Sequence, residues 1–279
     1  MKENRKISIK EIKKIVLEAG YLLYKARNDK LTILQKTSLK DLLTQYDILM
    51  QKNIIQGIRE YDDNALIISE EMSDIGSLSD DDTFIIDPID GTTNLVHGIR
   101  YSAISVAWFR NREPFYGIVY NPFDNELYEA EKGRGAFLNG ERIHVSGAPL
   151  KDSVVAFGTS PYNPETTDFT FKKARELYEM CHDVRRMGSA ALDICQVAAG
   201  KVGLFFEASL SAWDYAAAQL ILSEAGGKLV NFYGENIKFT SEKTSVIAGS
   251  SKIISESKLV QERKTKSRSE YYITTTHDV

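Results

Sequence analysis

At 279 residues, 43% hydrophobic and 27% charged, the chain has the make-up of a globular protein able to bury a large core, as one unit or as two closely packed halves. Its 35 basic and 39 acidic residues leave a formal net charge of -4, so no global positive field draws it to nucleic acid. The charged opening Met1–Lys6 leads into no apolar run of signal-peptide type and no later run reaches membrane-spanning length, which places the protein in the cytoplasm and away from membranes. Cys181 and Cys195 form no Cys-x-x-Cys pair and have no histidine at zinc-finger spacing, so they read as reduced structural thiols.

Ser8 with Glu11 has the form of a capping box, and Ile12, Ile15, Val16, Ala19, Leu22, Leu23 and Ala26 follow at helical spacing. A second helical pattern runs from about Leu39 to Ile58. Ala65–Ser69 reads as a buried strand ending in Glu70-Glu71, and Phe84-Ile85-Ile86 repeats that design, so both strands deliver acids at their C-terminal ends. Ser102–Phe109, Phe115–Tyr120 and Leu127–Glu131 predict a meandering antiparallel sheet, with Asn111–Pro114 as a turn-like break. Beyond Gly147–Asp152 the character changes. Strands Val154–Phe157, Asp183–Met187, Gly203–Phe206 and Lys228–Val230 alternate with helices Glu165–Met180, Ser189–Ala199 and Trp213–Ala225, the last closed by Gly226-Gly227. This divides the chain into an N-terminal half, 1–147, and a C-terminal half, 148–279, that together make one unit. The polar Lys264–Glu270 segment belongs at the surface.

Asp87-Pro88-Ile89-Asp90-Gly91-Thr92-Thr93-Asn94 directly follows an apolar strand, so two carboxylates and a glycine turn stand where the chain leaves the sheet. If Gly91 and Thr92 open a helix, their unpaired N–H groups make a phosphate site beside hard oxygen donors of the kind Mg²⁺ takes. Asp-Pro and Asp-Gly are also plain turn formers, Glu70-Glu71 also reads as solvated charge, and Asp214 after Trp213 also reads as a helix N-cap. A Trp-Asp pair without a period of about forty residues is no propeller repeat. There is no Gly-x-Ser-x-Gly elbow and no phosphate-binding Gly-x-x-x-x-Gly-Lys-Ser/Thr loop, and Gly133-Arg134-Gly135 lacks the third glycine of a dinucleotide fingerprint. His97, His144, His182 and His277 show no catalytic spacing.

Taken together, the Glu-Glu after a strand, the Asp87–Asn94 run and the late Trp213-Asp214-x-Ala216-Ala217 helix with its Gly-Gly resemble the inositol monophosphatase family, in that family's order and over about residues 8 to 260. Lys36, Asp41, Thr44 and Asp47 match an upstream pattern of the family, with Leu43 in place of its usual valine. Gly188-Ser189-Ala190-Ala191 and Glu207 match its substrate-side elements. The resemblance implies a layered α-β-α-β-α sandwich of the inositol monophosphatase and fructose bisphosphatase type, commonly a homodimer, and sensitivity to Li⁺. It implies two or three Mg²⁺ ions, with Mn²⁺ as a substitute: Glu70, Asp87 and the Ile89 carbonyl for the first, Asp87, Asp90 and Asp214 for the second, and Glu71 through water. It further implies that Thr92 with Asp47 orients the attacking water, with Glu70 also in the catalytic set. Gly91 and Thr92 then hold phosphate, and Asp90, Ala190 and Glu207 face the alcohol's hydroxyls. The expected reaction is Mg²⁺-dependent hydrolysis of a small phosphate monoester, myo-inositol 1-phosphate first and fructose 1,6-bisphosphate or another sugar phosphate second. The alternative of another class is a binding or regulatory protein that keeps the fold without catalysis.

Overall fold

The computed structural model describes residues 7–26, 31–35, 42–72, 78–161 and 163–261. Lys36, Asp41, His277 and the Lys264–Glu270 segment lie outside them. The chain opens with α1 (Ile9–Ala26), a short antiparallel pair β1 (Ile33–Gln35) and β2 (Leu42–Thr44), and α2 (Gln45–Arg59). The second helix therefore starts six residues later than the apolar periodicity predicts. Leu42-Leu43 suits either conformation, and two features decide it: pairing with β1, and Thr44 acting as the N-cap in extended geometry.

β3 (Leu66–Ser69), β4 (Thr83–Asp90), the one-turn α3 (Thr92–Val96), β5 (Ala103–Arg110), β6 (Glu113–Asn121), β7 (Glu126–Glu131), β8 (Gly135–Leu138) and β9 (Glu141–Ile143) follow. Their seven strands lie in chain order in one sheet, parallel between β3 and β4 and antiparallel thereafter. Glu113-Pro114 belongs to β6 rather than to the break before it. The turn is made by Asn111 and Arg112, both at positive φ, and Pro114 is tolerated because the β5–β6 register shifts beside it.

The second half contains β10 (Val154–Phe157), α4 (Thr167–Tyr178), β11 (Asp183–Arg185), α5 (Ala190–Ala198), β12 (Leu204–Leu210), α6 (Ala212–Glu224), β13 (Lys228–Val230), β14 (Thr244–Gly249) and α7 (Ser251–Ser257). The helix expected from Glu165 begins as a 3-10 turn over Pro164–Thr166, where Pro164 fits a first helical position. β12 runs on to Leu210, four residues beyond Phe206, because β14 pairs with it antiparallel as far as Thr244. The five strands take the order β11-β10-β12-β14-β13.

Strand alternation sorts the core into three parts and thereby sets the layers. Ile67, Phe84, Ile86, Ile104 and Trp108 pack on Ile12, Val16 and Leu23 of α1 and Met50, Ile54 and Ile58 of α2. Their neighbours Ile68, Ile85, Ala107 and Phe109 face the other way, onto α5 and α6, together with Ala156, Phe205 and Ala248 of the smaller sheet. Val155, Leu204, Phe206 and Ile247 turn to Ala174 and Leu177 of α4 and Ile253 and Ile254 of α7. The result is the five-layer α-β-α-β-α sandwich that the resemblance implies.

The central helix pair sits very close to the large sheet. A methyl group on Gly117 of β6 would fall 2.6 Å from the carbonyl oxygen of Ala217 on α6, backbone against strand. The run Ala216-Ala217-Ala218, wholly buried, is what permits that approach.

Candidate active site

Between the two sheets lies a cavity of about 390 Å³ whose wall includes Glu70, Asp87, Ile89, Asp90, Gly91 and Thr92 from the large-sheet side. Ala190, Asp193, Glu207 and Asp214 line it from the central helices and the small sheet. Residues up to 173 positions apart in the chain thus share one chamber, the span from Glu70 to Lys243. Asp47 is not on the wall and reaches it through Thr92. Glu71 and the described histidines, His97, His144 and His182, are also absent from it.

Both sheets lose their register at this chamber. β4 slips against β5 between Asp87 and Asp90, and β12 slips against β14 between Glu207 and Leu210. Side chains three apart on a regular strand point to opposite faces; the irregularity around Pro88 is what lets Asp87 and Asp90 serve one cavity. Ile89 N–H donates to Asp87 Oδ1 at 3.0 Å, fixing the first acid in the turn. Gly91 then takes φ 90° as N-cap of α3, a conformation that any side chain would strain.

Asp90 Oδ2 accepts from the Ser189 hydroxyl at 2.6 Å and from Ala191 N–H at 2.7 Å, so the start of α5 grips this carboxylate across 99 residues of sequence. At α2, Asp47 Oδ2 accepts from Thr44 N–H at 2.7 Å and from the Thr44 hydroxyl at 2.6 Å, closing a capping box. Its Oδ1 accepts from the Thr92 hydroxyl at 2.9 Å, and the Ile89 carbonyl is the second acceptor for that hydroxyl at 3.1 Å. Asp214 is the third residue of α6, and the N-cap is Ser211, whose N–H donates to Asp214 Oδ2 at 2.7 Å. The expectation that Asp214 is itself an N-cap is corrected: it occupies the capping-box position one turn into the helix.

Glu207 is clamped. Its Oε1 accepts from Ser160 N–H at 2.7 Å, Ser160 stands at φ 39°, and a methyl group on Gly158 would fall 1.9 Å from Oε2. Gly158 and Ser160 gave no signal in the sequence, nor did Asp193, which lies three residues after Ala190 and so on the same helix face.

Burial and mutual repulsion dominate the electrostatics. Burial first, then the charges of Glu70, Asp90, Asp214 and Asp47, hold Asp87 well above the carboxylate range. Burial, then Asp90 and Glu70, do the same to Asp214. Asp90 is pushed up to about 6 by burial, against the opposing bonds from Ser189 and Ala191, and Glu207 to about 7 by burial against its Ser160 bonds. Among the described residues no three His, Cys, Asp or Glu side chains close into a ready-made metal cage. Clustered, mutually repelling oxygens around an open chamber are a donor set that fits hard divalent cations retaining water and substrate oxygens as further ligands.

The model of the inositol monophosphatase family matches residues 6–269. The chain belongs to the inositol monophosphatase family. Bovine inositol monophosphatase 1 is 36% identical over 247 residues, 86% of this chain and 88% of the bovine protein. The Nus factor SuhB of Pasteurella multocida is 37% identical, with 84% of this chain and 86% of that protein covered. The crystal structure of the extragenic suppressor protein suhB from Bartonella henselae superposes with a TM-score of 0.84 at 32% identity, covering 91% of this chain and 98% of that one. Membership of the family brings an expectation of divalent metals, and the buried acids are where they would sit. No helix among the described residues is long and apolar enough to cross a membrane.

Proposed function

We propose that the protein is a Mg²⁺-dependent phosphoric monoester hydrolase acting on myo-inositol 1-phosphate or a closely similar polyol phosphate. The observation that carries this reading is the joining of the acids Asp87, Asp90 and Asp214 to the Thr92–Asp47 pair around one chamber. Glu70, Asp87 and the Ile89 carbonyl would hold one ion and Asp87, Asp90 and Asp214 another. Ions held there supply Lewis-acid activation of water and neutralise charge at the leaving oxygen.

The chain's own residues provide the geometry. Thr92 gives its hydroxyl proton to Asp47, the shorter of its two bonds and the one to a charged acceptor, which leaves its lone pairs to receive a water proton and aim that water at phosphorus. Asp47 stays in place because Thr44 holds its other oxygen. The N–H groups at the start of α3, at Gly91 and Thr92, suit phosphate oxygens. Asp90, Ala190 and Glu207 face the alcohol. By the same resemblance we extend the proposal to a homodimer inhibited by Li⁺.

Phosphate release from myo-inositol 1-phosphate, fructose 1,6-bisphosphate and 3'-phosphoadenosine 5'-phosphate, with and without Mg²⁺, tests the reading. A Mg²⁺-dependent preference in kcat/KM for the inositol ester is expected; a preference for the bisphosphate would move the substrate to the second candidate. The name Nus factor, carried by the relative from Pasteurella multocida, favours a second reading in which the chain acts through a partner without hydrolysis. Absence of turnover on every ester would support that alternative.

A further inference from the structure

Two acids of the cavity wall share a pattern that the hydrolytic machinery does not use. Glu207 engages Ser160 through Oε1, and Asp193 engages the Tyr101 hydroxyl through Oδ1 at 2.9 Å. Neither residue's other oxygen meets a hydrogen-bond donor among the described residues, and both residues line the cavity. Asp193 is 1% exposed, and its contact with open space is through the cavity that it lines. Its placement is rigid: Tyr101 presents its hydroxyl to Asp193 while its carbonyl accepts from Asn94 Nδ2 at 2.7 Å, and the same amide donates to the Met187 carbonyl at 2.9 Å. Burial, with the charges of Asp90 and Glu207 nearby, pushes the Asp193 carboxyl well up, and Arg186 at the rim works against that.

We propose that Asp193 is a specificity-determining residue that adds a hydrogen bond to a hydroxyl group of the substrate's alcohol, beside the contact already assigned to Glu207. The inference rests on the phosphatase reading above and deepens it. Each acid has one oxygen committed to the protein and one without a donor among the described residues, and the two come from different elements, α5 and β12, on the same wall of the cavity. A hydroxyl-rich ring satisfies both oxygens at once. An ester with an apolar alcohol leaves both without a partner, and a site with unpaired buried polar groups rejects such a ligand strongly.

The test compares kcat/KM for myo-inositol 1-phosphate and for p-nitrophenyl phosphate, whose alcohol carries no additional hydroxyl, in the wild type, Asp193→Asn and Asp193→Leu at saturating Mg²⁺. The ratio of the inositol ester to the aryl ester is expected to fall about tenfold or more in Asp193→Leu and less in isosteric Asp193→Asn, through KM rather than kcat. An unchanged ratio in both variants overturns the inference and leaves the phosphatase reading intact. If Asp193→Leu does not fold, Asp193→Asn alone carries the comparison, with a fall of at least threefold expected. If the wild type hydrolyses neither ester, the phosphatase reading falls. Calorimetric binding of myo-inositol 1-phosphate then decides the Asp193 contact by itself, at least tenfold weaker binding in the variant supporting it and equal affinity overturning it.

Discussion

The two helices whose N-terminal turns carry an acid in a capping box, α2 and α6, begin alike, but only the acid of α6 stands on the cavity wall. In each, an aspartate at the third helical position accepts the N–H of the residue before the helix, Thr44 for Asp47 and Ser211 for Asp214. The difference lies in the second oxygen. That of Asp47 is taken by Thr92, so this acid positions a hydroxyl; that of Asp214 meets no hydrogen-bond donor among the described residues, and Asp214 stands on the cavity wall. The same local motif thus yields an acid that holds a hydroxyl or one whose second oxygen is left for the cavity, according to what the tertiary fold brings to the acid's far side.

The sharpest way to break this comparison is Asp214→Asn. The amide keeps an oxygen for Ser211, so the fold should hold, while turnover falls by on the order of 10²–10³ as one charged ligand disappears. Near-wild-type kcat/KM at saturating Mg²⁺ would remove Asp214 from the ligand set. Thr92→Val should reduce kcat by on the order of 10² with KM little changed. Asp47→Ala should match that loss and, unlike Asp214→Asn, cost about 1–2 kcal/mol of stability through the lost cap, read in a urea melt. Equal melts for the Asp47 and Asp214 variants would erase the distinction drawn here.

Gly158→Ala comes next. Overpacking against Glu207 should cost about 1–3 kcal/mol and raise KM for the inositol ester, while the Asp47–Thr92 pair stays in place. The smallest effect concerns pH in the metal-free protein. Asp90 and Glu207 have folded values raised to about 6 and about 7, above the ordinary 3.8 and 4.5, so the folded state holds more protons across that window. Their contribution is full below about pH 4 and is lost as the pH rises to 7. The melting temperature without metal should therefore fall over this range, and Mg²⁺ at pH 7 should restore it. A melting temperature that rises with pH in the absence of metal would contradict the repulsive cluster.

Most of the site was legible because its acids sit in short contiguous runs: Glu70-Glu71, Asp87 to Thr92 and Trp213-Asp214 can be read without knowing what lies opposite them. Strands β3 to β7 of the large sheet were legible for a related reason, since each alternates or runs apolar over its own length. What sequence could not display are partnerships at long range. Ser189 gripping Asp90, Ser160 clamping Glu207 and Tyr101 tethering Asp193 span 99, 47 and 92 residues and leave no local trace. The same holds for Leu42–Thr44, where an apolar triplet of helical appearance becomes a strand because β1 lies beside it, and for the hairpin of β8 and β9, whose short strands give too little pattern to recognise.

Gly117 has a reach beyond its own strand. With no atom to spare between its Cα and the Ala217 carbonyl, the sheet acts as a datum plane against which α6 is seated, and Asp214 lies one turn from the seat. The spacing between Asp214 and Asp87 is therefore gauged at a backbone contact one turn further along the same face of α6. A single methyl group added there would shift that gauge, altering the span between two buried acids of the cavity by changing a different residue.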